Sequence, residues 1–135
     1  MIRLLVVFGV AGAAAGLGIL SRRRRDAPTQ SLNSSPTQLD RTDFVYPSTP
    51  WLVVVFTSAT CHTCADIEIK ARVLESESVA VQILEYGAQR DLHQKYSIEA
   101  VPTLLIVDSE GVVVQNFVGP VTATDLWTAL ASARG

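Results

Sequence analysis

Trp51-Leu-Val-Val-Val-Phe56, followed after Thr57-Ser-Ala-Thr60 by Cys61-His-Thr-Cys64, decides how this chain folds. An unbroken apolar run suits a strand buried on both faces, because successive side chains point to opposite sides of a sheet. Beyond the second cysteine, Ala65 to Leu74 are mostly helix formers, with Ile67, Ala71 and Leu74 at helical spacing. The two thiols are thereby placed on the first turn of a helix that leaves a buried strand. Unpaired backbone N–H groups and the positive end of the helix dipole favour an anion there, which stabilises a thiolate. Cys61 and Cys64 are the only cysteines in the chain, so no other disulfide competes for them.

The 135 residues make one domain's worth of chain with an uneven charge balance. Residues 1–43 carry six Arg against three acids, and residues 44–135 carry five Lys/Arg against ten acids. The folded part is therefore acidic. Phosphate contacts need a basic patch, so nucleic acid is not an expected partner.

From Ile2 to Leu20 the chain is apolar except for Arg3. At ~1.5 Å per residue, a helix of that length just crosses the hydrocarbon layer. Ala13-Ala-Ala15 resembles a small-residue cleavage site, as in a signal peptide. Against cleavage stands Arg22-Arg-Arg-Arg25, which resists translocation and marks a cytoplasmic end. The expectation is a single-pass anchor over 1–21 in the cell membrane, held there by residues 2–20. A basic, flexible linker follows over 22–36, rich in Pro and Ser, and then a domain over 37–135 on the cytoplasmic side. The extracytoplasmic side is the second reading. Leu39 and Phe44 are the expected first core contacts.

Val79 to Leu84 reads as a second strand and Arg90 to Tyr96 as a short helix presenting Leu92 and Tyr96. Thr103–Val107 and Val112–Val118 form a hairpin around Asp108-Ser-Glu-Gly111, where glycine supplies the left-handed turn position. Thr122-Ala-Thr-Asp125 reads as a capping box for a last helix holding Leu126, Trp127 and Leu130. This order predicts an α/β fold. A small mixed sheet has helices on both faces, a parallel βαβ unit and a closing antiparallel hairpin.

Three motifs together, Cys61-His-Thr-Cys64 after a buried strand, Val101-Pro-Thr103 before the next long one, and Val118-Gly119 ending the hairpin, resemble the thioredoxin family. The resemblance covers residues 37–135 and implies the thioredoxin fold. It also implies a cis Val101–Pro102 bond against the dithiol, and substrate contacts at Thr60, Val101, Pro102 and Gly119, with the backbone of Val101 pairing with a substrate strand.

Chemistry then assigns the roles. Cys61, at the helix start, is the expected nucleophile, and Cys64, one turn deeper, resolves the mixed disulfide. His62 and Thr63, between the thiols, are the expected redox-tuning residues, since a cationic imidazole would stabilise the Cys61 thiolate. The activity expected is reduction of protein disulfides, with no cofactor beyond the redox-active Cys61–Cys64 disulfide. Its electrons would come from a donor such as a thioredoxin reductase or a membrane redox partner. Zinc needs four ligands as a rule, and only His62 and His93 could join the cysteines, so no metal is expected. Other readings are an extracytoplasmic thioredoxin-like protein serving protein or cytochrome maturation, and a non-catalytic thioredoxin-fold adaptor. His93 reads as a surface residue, and Trp51 and Trp127 as core or rim aromatics.

The chain also departs from the family. Thr60 stands where the family usually has Trp. Val55 and Ile83 stand where it pairs a buried Asp with a Lys to manage the resolving thiol's proton. Cys64 must give its proton to water or to another group, for which Glu85 is a candidate.

Overall fold

The computed structural model of the protein describes residues 35–135. The expected membrane span, Arg22–Arg25 and nearly all of the linker lie outside them. Among the described residues, no helix is long and apolar enough to cross a membrane.

The run that opens at Trp51 forms β1 (Trp51–Thr57), buried from Leu52 onward because it is central in the sheet and covered on both faces. Next come α1 (Cys64–Arg72), β2 (Val79–Glu85), α2 (Arg90–Lys95), β3 (Thr103–Val107), β4 (Val113–Val118) and α3 (Ala123–Arg134). The strands lie in the order β2-β1-β3-β4, with β1 parallel to β2 and the other pairings antiparallel. Strand alternation divides the core in two. Val53, Val55, Val81, Leu104 and Ile106 face α1 and α3, where they meet Ile67, Ala71, Leu126 and Leu130. Leu52, Val54, Phe56, Leu84 and Leu105 face the other way, against Tyr96, Leu39 and Phe44, with Leu92 at the edge.

The β3–β4 turn uses Gly111 at φ +85°, a region that penalises any side chain. A Cβ there would also strike the carbonyl of Leu39, whose N–H donates to the Gly111 carbonyl at 2.7 Å. In this way the hairpin holds the start of the domain. Thr122 caps α3, its hydroxyl accepting from the Asp125 N–H at 3.1 Å.

Several expectations need correcting. Helix α1 begins at Cys64, so that Cys61 lies in the turn before it rather than on its first turn, and it stops at Arg72, leaving Leu74 buried in the turn beyond. Both β1 and β2 run one residue further than expected, while β4 starts one residue later, at Val113. His93 is not a surface residue. It is only 3% exposed, its Nε2 lies 2.8 Å from the Leu84 carbonyl, and its ring meets Phe56 and Tyr86 edge to face. A polar ring can be buried there because its hydrogen bond is made inside. Trp127 is 54% exposed, since α3 turns Leu126, Ala129 and Leu130 inward instead.

Candidate active site

The topology brings four chain segments to one end of the sheet. They leave the carboxyl ends of β1, β2 and β4 and enter the amino end of β3, and the pairs Phe56–Thr103 and Thr103–Val118 join them there. The dithiol follows β1. Cys61 and Cys64 form a disulfide with Cα atoms 5.5 Å apart. Cys61 is half-buried in the turn before α1, its N–H donating to the Ser58 carbonyl at 3.2 Å, whereas Cys64 is 4% exposed and opens the helix. Cys61 is thus the more exposed of the two residues and Cys64 the shielded one, both at the electropositive helix end.

Thr63 occupies the N-cap of α1 without making a side-chain cap bond. Its hydroxyl instead lies 3.7 Å from the Cys61 sulfur. His62 is exposed, and so is Thr60, whose hydroxyl pairs with that of Ser58 at 3.0 Å.

The Val101–Pro102 bond is cis, and Pro102 is buried while Val101 is half-buried. Thr103 closes this loop through its hydroxyl, which donates to the Ala100 carbonyl at 2.7 Å. Gly119, at φ +88°, donates its N–H to the Pro102 carbonyl at 2.9 Å, so the loop after β4 is fastened directly to the proline loop. A second fastening joins α1 to that region, where Lys70 Nζ reaches the Val121 carbonyl at 3.0 Å and Asp66 at 2.6 Å.

Val55 and Ile83 are register partners on β1 and β2, with Val55 fully buried, and hydrocarbon fills the place the sequence marks as lacking an acid. Glu85, the candidate the sequence offered for the resolving thiol's proton, is engaged by backbone amides. Its carboxylate accepts from the N–H groups of Ala88 at 2.9 Å and Ala59 at 3.2 Å. Bonds from Gly87 and Ala88, and then Ala59, hold its pKa below the usual glutamate range. A carboxylate so engaged is a poor proton acceptor. The spacing of Glu85 from the cysteines gave no sign of this link, since it depends on β1 and β2 ending side by side. Among the described residues, no group of three or more His, Cys, Asp and Glu side chains is placed to hold a metal ion.

Comparison with known proteins agrees with this geometry. A malarial protein superposes with a TM-score of 0.56 at 14% identity, covering 62% of this chain and 97% of that one. A mutant thioredoxin from Halobacterium salinarum NRC-1 gives a TM-score of 0.59 at 22% identity, over 73% of this chain and 90% of its own. A designed protein gives the same TM-score and identity, over 73% and 89%. These likenesses speak for the fold. No curated protein matches the chain in sequence. The family model of the thioredoxin-like domain matches residues 45–134, well over half of the chain, and the chain belongs to the thioredoxin family.

Proposed function

We propose that the protein is a thiol–disulfide oxidoreductase that reduces protein disulfides and is held at a membrane by residues 1–21. The observation that carries this reading is the unequal exposure of the disulfide-bonded pair at the start of α1, Cys61 being half-buried and Cys64 buried. That inequality separates a nucleophile from a resolving thiol.

In the reduced protein, the Cys61 thiolate attacks one sulfur of a substrate disulfide. A bond forms from Cys61 to that sulfur as the substrate's S–S bond breaks, and the other substrate sulfur leaves as a thiolate and takes a proton from water. Cys64 loses its proton and attacks the Cys61 sulfur, which releases the second substrate sulfur and closes the Cys61–Cys64 disulfide. Two electrons have then passed to the substrate. A donor of two electrons, a thioredoxin reductase or a membrane redox partner, restores the dithiol.

Val101 is suited to holding the substrate, for its backbone makes no hydrogen bond among the described residues and lies beside a buried proline. Thr60, Pro102 and Gly119 complete the docking surface, and His62 and Thr63 tune the pair. The four arginines at 22–25 favour a cytoplasmic domain, in reach of cytosolic electron donors.

A Cys64→Ser chain expressed in cells should accumulate mixed disulfides through Cys61 in the membrane fraction, released by dithiothreitol. Replacing Cys61 as well should abolish them. An unchanged partner pattern in the double variant would defeat the catalytic reading in favour of an adaptor, and trapped species confined to the soluble fraction would defeat the tether.

A further inference from the structure

Glu85 stands at the end of β2, opposite Thr57 in the parallel register. The two strand ends are joined there by the Tyr86 N–H, which donates to the Thr57 carbonyl at 2.9 Å. The Glu85 carboxylate adds a second link. One oxygen takes the Ala59 N–H, and the other takes the Ala88 N–H. Among the described residues, no other side chain from outside the Ser58–Cys61 turn bonds to the backbone of that turn. Within the turn, the Thr60 N–H donates to the Ser58 hydroxyl at 3.3 Å and the Cys61 N–H to the Ser58 carbonyl, and the Cys61–Cys64 disulfide ties its end to α1.

We infer that Glu85 is a positioning residue that clamps the dithiol turn to the β2–α2 loop and, by its charge, opposes the Cys61 thiolate so that the pair stays a reductant. This rests on the oxidoreductase reading. A carboxylate hydrogen-bonded to the Ala59 N–H, two residues before Cys61 in the chain, disfavours a second negative charge on that turn. Anything that disfavours the thiolate destabilises the reduced form, which makes the pair a stronger reductant. The clamp therefore pushes the couple in the opposite direction from a cationic His62. Glu85 is partly exposed, so solvent screens the effect, and a shift on the order of threefold in the thiol–disulfide equilibrium is the size to look for.

The test equilibrates the full chain with glutathione at pH 7 and follows iodoacetamide alkylation of Cys61 across pH. Glu85→Gln should move the equilibrium about threefold toward the dithiol and the alkylation midpoint to lower pH. Glu85→Asp keeps the charge on a shorter arm. It should stay near the unaltered equilibrium while the Ala59 amide exchanges faster with solvent. A Gln variant superimposable on the unaltered protein in both measurements would reduce Glu85 to a structural staple. A check without mutation is an acid titration of the unaltered chain by NMR, in which the Ala59, Gly87 and Ala88 amides should shift together. An Ala59 amide that ignores that titration would overturn the clamp. These readouts do not depend on any protein substrate, so failure of the disulfide-reductase reading would appear separately, as an absence of trapped partners.

Discussion

Replacing Val55 with Asp puts back the acid that the thioredoxin family usually places six residues before the first cysteine, and the structure sets its cost. Val55 is fully buried at the centre of β1, with Ile83 in register on one side and Leu104 on the other. Losing a buried valine side chain costs about 1.5–2 kcal/mol. A neutral carboxyl group placed there, without the Lys that the family sets opposite, adds about 1–3 kcal/mol. The variant should therefore be less stable by about 2.5–5 kcal/mol near pH 4.

The loss should then deepen with pH, and its sign follows from linkage. In the unfolded chain the new carboxyl ionises near pH ~3.9, while burial raises its pKa in the folded protein. Above ~3.9 the folded state binds more protons than the unfolded state, so stability falls by about 1.4 kcal/mol per pH unit until the folded pKa is reached. Urea unfolding of a fragment beginning at Asn33, followed by tryptophan fluorescence at several pH values, measures both parts. Val55→Asn is the control, with a comparable loss that does not vary with pH. A Val55→Asp penalty under ~1 kcal/mol, or one parallel to the Asn control at every pH, would show that water reaches this position. The account of a dry site beneath the dithiol would then be wrong.

Two further outcomes follow from the packing. His93→Ala removes a buried ring from between Phe56 and Tyr86 and leaves the Leu84 carbonyl without its partner, so it should cost about 2–4 kcal/mol in urea unfolding, and His93→Phe should recover part of that. Asp43 accepts from Lys95 and the Tyr96 hydroxyl, and these bonds, Lys95 first, lower its pKa. A depressed folded pKa contributes stability that is present above the unfolded value and lost as pH falls through the folded one. Asp43→Asn should therefore be less stable near neutrality, with a flatter acid limb that approaches the unaltered protein as acid protonates Asp43 in the folded state.

The sequence was most legible where one physical signal dominated. The run from Trp51 allowed no other placement than a central strand, and the helix after Cys64 was evident from its apolar spacing. Gly111 marked the hairpin because only a residue free of a side chain suits that turn. His93 was misread because its burial depends on a carbonyl from β2, a contact that local spacing does not encode. Trp127 was misread for a related reason. It neighbours the inward stripe of α3, and only the helix orientation shows which residues turn in. For Glu85, the sequence offered a carboxylate near the motif but not the backbone amides that engage it.

What the chain keeps of the thioredoxin site, and what it lacks, fall into different physical classes. It keeps the groups that fix geometry: the helix-start dithiol, the cis proline loop and the Gly119 amide that fastens one loop to the next. It lacks the groups that broaden contact or move protons, with Thr60 in place of a large aromatic and Val55 in place of an acid. In the proposed reaction, with no buried acid among the described residues, Cys64 gives its proton to solvent, so its attack on the mixed disulfide would slow as pH falls below the thiol pKa. A slow resolving step would lengthen the life of each mixed disulfide, and Thr60 offers a partner less contact than a large aromatic would. The proposed tether would offset both, because confinement beside a partner raises its effective concentration without any new contact. Under the proposed function, the anchor and these departures from the family would belong together, as parts of an oxidoreductase fitted to few partners on one membrane.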